Sequence, residues 1–439
     1  MTLISIFVFA SYLALETSLS ISRGHYSFNA LCIAGLGLVS LGTAIYVSCR
    51  NNLKRIYFSV PLEWGIILGV IVSLVFGVLY SPIIYWVPGT VKTPFWFFIL
   101  STFFLLLLGI RYKQSPRIFL FVFILILFVW LASGFWVLKA SPHPKIDVWY
   151  IQQGAEETLL NGNNPYEKVF NIPVEKSATY QITDRYVYPP HTLFVTLPFY
   201  YFFGDIRYAN LFCQWIAGLF LLGIAKRSGK NNFESSLLCI LFLFHSRWPF
   251  VLEQAWTEST LIVLLFASVF LFLKSYPKKG ASLAGLFLAA KPYLLPLIIF
   301  YSRFLRKKSM SWFFCALFFA LLPFLFILKS PVDFYHNVIA YHFNSEFRFD
   351  SLSFSAFLAR NFYFFIPSKL PFILLFGVLI AGAMKQEIYQ TALFTSFAYF
   401  LFFFLYKNAF CNYYFFVSSL IILTLALLPK TPISTPTKF

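Results

Sequence analysis

Apolar runs of about 20 residues, each long enough to cross a hydrocarbon core of about 30 Å, recur along nearly the whole chain, separated by short polar punctuation. They predict spans at 2–21, 27–48, 64–86, 95–110 and 118–138, then at 206–225, 235–251, 257–273 and 311–328, and finally at 371–384, 389–406 and 410–428. Two stretches do not fit a simple crossing. Residues 188–203 are rich in aromatics but interrupted by Pro189, Pro190 and Pro198, and predict a shallow re-entrant or interfacial helix. Residues 281–301 have basic clusters on both flanks, so the segment cannot cross once. It predicts a broken hairpin around Lys291-Pro292, or two short half-helices, geometries tolerated at membrane depth where protein or a wet cavity surrounds the backbone. The polar intervals 140–187 and 329–370 are the two large loops.

The expected fold is therefore an all-α polytopic membrane protein with about 12 transmembrane helices plus re-entrant or interfacial helices and two larger outer loops. Composition agrees: 59% of residues are apolar, 22% aromatic and only 11% charged, against about 25% charged in an average soluble domain. The formal charge of +18 does not point to nucleic acid. Its basic residues sit in short clusters between spans (Arg50, Lys54, Arg55; Arg111, Lys113, Arg117; Lys226, Arg227, Lys230; Lys274, Lys278, Lys279; Arg303, Arg306, Lys307, Lys308), the mark of cytoplasmic loops, with an added attraction to anionic membrane lipid. Asp147, Glu156, Glu157, Glu167, Glu175 and Asp184 gather in the first large loop, and Asp333, Glu346 and Asp350 in the second. Both termini are then cytoplasmic. The six cysteines fall in or beside apolar runs as small hydrophobes, which suggests neither a disulfide framework nor a zinc site. With no N-x-S/T sequon, the chain leans towards a bacterial inner membrane. The uncharged start, with Glu16 inside the first apolar run, reads as a retained span.

Several groups on the outer side carry candidate chemistry. Asp147 follows a span by a few residues among aromatic and polar neighbours, where burial can tune a general base; the plain alternative is a solvated acid. Gly162-Asn163-Asn164-Pro165-Tyr166 reads equally as a tight turn or as ligand contacts through Asn164 and Tyr166. Tyr188-Pro189-Pro190-His191 is either a stiff helix start or an interfacial binding element. Lys291, set between Leu288-Ala289-Ala290 and Pro292-Tyr293, is costly within hydrocarbon and marks a function, such as holding a phosphate, unless it snorkels to the interface. Gln254 and Glu258 bracket an outer turn. In the second loop, Asp333, His336, His342, Asn344, Arg348, Asp350 and Ser353 form a polar cluster in which Arg348 can grip a phosphate through two nitrogens. No spacing suggests a metal site, and no phosphate-binding glycine loop suggests ATP.

In order and topology these elements resemble the integral-membrane GT-C glycosyltransferases, and within them family 87, the polyprenol-phosphate-mannose-dependent type. The likeness rests on Asp147 opening the first large loop, Gly162 to Tyr166, Tyr186-Val187-Tyr188-Pro189-Pro190, Gln254, Lys291-Pro292 and Asn412-Tyr413-Tyr414. It covers roughly residues 118–428 and implies a GT-C-like catalytic domain at 118–430 and a cytoplasmic tail at 431–439. The pattern departs in one respect: four further spans, 1–117, precede the acidic loop. The resemblance implies an inverting transfer of a sugar, mannose or another hexose, from a polyprenyl-phosphate donor to a lipid or glycan acceptor hydroxyl on the outer face, with no cofactor. Asp147 would be the base. Lys291, with Arg348 or His342, would hold the lipid phosphate, and Trp149, Asn164, Tyr166, Tyr188, His191, Gln254 and Glu258 would contact sugar or acceptor. A lipid-linked glycan flippase is the alternative outside enzymes, but it would need polar groups along a midplane path. A polymerase or ligase with a pyrophosphate-linked donor would be expected to carry more outer-loop arginines than Arg348 and Arg360.

Overall fold

The computed structural model describes residues 1–50, 52–53, 56–87, 93–173, 183–321 and 329–429. Lys54, Arg55, Glu175, the end of the 311–328 span and the 431–439 tail lie outside them, as does the His342 side chain. The described residues form helices and no named strand. Helices α1 (Leu3–Ser22), α2 (Phe28–Cys49), α3 (Leu62–Leu79), α4 (Thr93–Arg111) and α5 (Pro116–Ala140) match the first five predicted spans within a few residues, except that α3 stops seven residues short. After α6 (Asp147–Leu160) and α7 (Pro190–Phe203) come α8 (Arg207–Arg227), α9 (Asn232–Leu243), α10 (Trp248–Glu253) and α11 (Glu258–Leu273). Among the described residues, seven helices are long and apolar enough to cross a membrane, and five shorter apolar ones accompany them. At a rise of about 1.5 Å per residue, the 25 residues of α5 exceed the hydrocarbon thickness. Outward-facing side chains such as Leu36, Phe97, Phe104 and Phe121 are more than half exposed, as a bilayer requires. The chain is an integral membrane protein.

The expected hairpin at 281–301 is present. Helix α12 (Pro277–Leu288) rises, a 3-10 turn (Pro292–Leu297) and α13 (Ile298–Tyr301) return, and α14 (Lys307–Leu321) follows. Both ends of the hairpin lie at one level: Phe272 stacks on Phe304 at 4.9 Å and Lys278 sits 5.8 Å from the Trp312 ring centre. Pro292 and Pro296, which cannot donate an amide hydrogen, account for the break. The basic residues meet at this same end of the bundle. Lys113 pairs with Glu63 at 2.7 Å, Lys230 donates to the Leu428 carbonyl at 2.5 Å, and Arg303 bonds the backbone around Lys385–Glu387.

The last helix, Cys411–Leu427, is the axis of the fold: every residue in it except Tyr413 is buried. It packs on α1, α8, α9, α10, α11 and the preceding helix Ile388–Leu405. The N-terminal helices are bound into this core. Gly24, at φ +79°, lies so close to the last helix that a Cβ there would stand 2.1 Å from the Cys411 amide nitrogen. Beside it, the Tyr26 amide donates to the Asp350 carbonyl at 2.8 Å.

Two expectations change. The 235–251 span is not continuous; it breaks at Phe244–Arg247 between α9 and α10. There, wholly buried Glu16 on α1 accepts from the Ser246 amide at 2.7 Å and pairs with His245 at 2.8 Å. Buried Arg247 donates to the Ser20 carbonyl at 2.8 Å. Buried polar groups in an apolar bundle need partners, and opening the helix supplies the Ser246 amide. The cysteines also divide: Cys239 and Cys411 are buried, whereas Cys32, Cys49 and Cys315 are exposed, and all six are free.

Candidate active site

The first large polar interval is not plain loop. Its residues 147–160 form α6, which buries Ile151, Ala155, Glu156 and Thr158 on one side. Asp147 is its first residue, where the helix dipole favours an acid; Oδ1 accepts the Val148 amide at 2.8 Å. Burial lifts the carboxyl above the ordinary aspartate range, against that amide bond and the charge of Arg348. The helix ends where Gly162, at φ +76°, reverses the chain and Asn163 donates back to Thr158 at 3.0 Å, the left-handed cap glycine takes most readily.

The Asn-Asn-Pro-Tyr element that follows is a turn with a positioning job. Asn164 Oδ1 accepts the Tyr166 amide at 3.1 Å, and its Nδ2 donates to Glu167 at 3.0 Å. This folds Tyr166 inward until it is 1% exposed. Its hydroxyl then donates to the Tyr188 carbonyl at 2.9 Å, while Asn337 donates to its own carbonyl at 3.0 Å. Tyr188 is thereby fixed ahead of Pro189-Pro190, which start α7. Burial raises its phenol well above the usual range, and the negative charges of Asp147 and Glu258 add to the effect. Tyr188 therefore lies within electrostatic reach of both acids.

The second large polar interval closes the site with a helical run, Pro331–Phe334, Tyr335–Ala340 and Tyr341–Asn344. Burial pushes the Tyr341 phenol up to about 12, Asp147 adding to the rise and Arg348 opposing it. Arg348 donates to both Asp350 oxygens at 2.7 Å and lies 4.4 Å from the Phe410 ring centre. Its two-nitrogen grip is thus taken by Asp350. Burial alone would raise that acid, yet the Arg348 hydrogen bonds, helped by His25, hold it well below the usual carboxylate range.

Lys291 Nζ meets Glu258 Oε1 at 2.6 Å. Asn412 Nδ2 donates to the same oxygen at 3.1 Å. Lys291 lies 5.7 Å from the ring centre of Tyr293 and 5.8 Å from that of Tyr413. Glu258 opens α11, Lys291 precedes the 3-10 turn, and Asn412 is the second residue of the last helix. The starts of α11 and of the last helix and the Lys291-Pro292 break therefore bring these three side chains together.

Of the expected residues, Asp147, Tyr188, Glu258, Lys291 and Arg348 thus come together. Asn164 and Tyr166 support them from behind. Trp149 is buried beneath Arg207, whose guanidinium lies 5.6 Å from its ring centre. Gln254 is buried, its amide donating to Glu253 at 3.1 Å; Glu253 in turn accepts the Ile84 and Tyr85 amides at 2.8 and 2.7 Å. His191 stands half-buried in the first turn of α7, its Nδ1 without a hydrogen bond. Tyr341 and Tyr293 join the site from outside the expected set, as does Asn412, which the sequence offers only as part of the family likeness. Glu156, placed by the sequence among the acids of the first large loop, is fully buried; Thr196 donates to its Oε1, Oε2 bonds nothing, and burial pushes its carboxyl up to about 8.

Residues 186–428, over half of the chain, match glycosyltransferase family 87. The chain belongs to that family. The stretch matched by glycosyltransferase family 87 contains Tyr188, Glu258, Lys291, Arg348 and Asn412 and begins after Asp147. No curated protein and no solved structure matches the chain.

Proposed function

We propose that this family 87 glycosyltransferase is an inverting enzyme that moves a hexose from a polyprenyl-phosphate carrier to an acceptor hydroxyl on the extracytoplasmic face of a bacterial inner membrane. The observation that carries the reading is a largely desolvated carboxyl, Asp147, and the Lys291–Glu258 pair, with Tyr188 in electrostatic reach of both acids. Asp147 takes the proton as the acceptor oxygen attacks the anomeric carbon. The carbon–oxygen bond to phosphate breaks from the opposite face, and the phosphate leaves with its electron pair. Lys291 holds the charge that develops there, the kind of fixed electrostatic aid that contributes most to such steps. A raised carboxyl suits a base: its proton affinity moves closer to neutral pH, and positioned bases typically contribute about 10²–10⁴-fold.

Arg348 contributes through its charge, with Asp350 fixing its geometry, and Tyr188 and His191 line the path between donor and acceptor. The carrier lipid enters beside α7, whose Tyr201, Phe202 and Phe203 are at least half exposed. In this reading 118–430 is the catalytic unit, and the N-terminal helices brace it through Gly24 and Glu16. Purified protein is incubated with a panel of polyprenyl-phosphate sugars and membrane lipid extract as acceptor. Release of free polyprenyl phosphate with a glycolipid of inverted anomeric configuration is expected from one donor. A retained configuration, or turnover only with pyrophosphate-linked donors, would overturn the proposal.

A further inference from the structure

The site holds an anion of its own. Glu258 is wholly buried, yet its two oxygens are treated unequally: Oε1 takes both Lys291 and Asn412, and Oε2 bonds nothing. A buried carboxylate left half-bonded loses the hydrogen bonds that water would have given it, so the arrangement favours grip on the ammonium over satisfaction of the acid. Asn412, on the buried axis helix, fixes which oxygen faces the lysine. Lys291 differs from Glu258 in being 13% exposed, so it keeps a route outward while the acid has none. The Tyr293 and Tyr413 rings flank the ammonium, and their attraction for a cation persists when its carboxylate partner changes.

We propose that Glu258 is an internal counter-ion standing in the donor phosphate's place on Lys291, with Asn412 as its positioning residue, and that the lipid phosphate binds by displacing it. This rests on the reading of Lys291 as the phosphate ligand. It assigns Glu258 to charge exchange rather than to contact with the sugar. The exchange keeps the lysine neutralised in the empty site and makes its full charge available once phosphate arrives. It also makes donor affinity a competition that Glu258 weakens.

The probe is polyprenyl phosphate itself, which carries no sugar, titrated into full-length protein in nanodiscs at fixed salt. Glu258→Gln is expected to bind it at least about tenfold more tightly than wild type, the lower end of couplings between close charge pairs. Asn412→Asp, which adds a second carboxylate beside the lysine, is expected to bind more weakly by a similar factor. A fold defect lowers affinity in both, so opposite signs cannot arise from misfolding. Unchanged or weaker binding by Glu258→Gln overturns the exchange. Lys291→Gln is the control for the underlying reading: if it binds as wild type does, Lys291 is not the phosphate ligand and that reading falls as well, whereas weak binding there confines any failure to the exchange.

Discussion

Glu156 makes the bundle's stability pH-dependent in a calculable way. Its carboxyl is buried on α6, takes one hydrogen bond from Thr196, and is pushed up to about 8 from the ordinary glutamate value of 4.5. The folded-state value is raised, so the protonated acid favours the fold. That contribution is fully present below about pH 4.5 and is lost as pH rises towards about 8. Each tenfold gain in proton affinity is worth about 1.4 kcal/mol, so the wild-type penalty relative to a permanently neutral side chain grows by roughly 3–4 kcal/mol between pH 5 and pH 9. Glu156→Gln is neutral throughout and nearly isosteric. Its stability advantage over wild type should be small at pH 5 and amount to several degrees of unfolding temperature at pH 9. Thermal unfolding of both proteins at the two pH values, in one detergent, measures it, and other titrating groups cancel between the variants. An advantage that is the same at both pH values would refute the buried, protonated Glu156.

Two other substitutions separate bracing from chemistry. Glu16→Ala leaves His245 and the Ser246 amide without their buried partner, and is expected to cost roughly 3–5 kcal/mol, read as a fall in unfolding temperature and in yield of folded protein. Tyr166→Phe removes one hydrogen bond, at about 0.5–1.5 kcal/mol. Because that bond holds the Tyr188 carbonyl, turnover should fall while binding of polyprenyl phosphate, read by titration, stays near wild type.

The spans were legible because a bilayer demands a long apolar run wherever a helix crosses. The hairpin at Lys291-Pro292 was legible from charge alone, since equal basic flanks forbid a single crossing. Helix α6 was hidden inside a polar interval, although Ile151, Ala155 and Leu159 recur every four residues, the spacing of one helix face. The Glu16–His245 pair had no local signal: its partners are some 230 residues apart, and each looks like a stray polar group in an apolar run. The same holds for Glu258 and Lys291, individually visible but joined only by folding. The turn-or-ligand ambiguity at Asn164 and Tyr166 needed coordinates, because an Asx turn and a binding loop use the same residues.

The most direct measurement compares sugar transfer by wild type and Asp147→Asn, alongside binding of polyprenyl phosphate to each. The account predicts that Asp147→Asn folds and binds the lipid phosphate as wild type does, since Lys291 is untouched. It should lose transfer by at least about 100-fold, the low end for a positioned base. Wild-type turnover in that variant would contradict the account and remove Asp147 from the reaction.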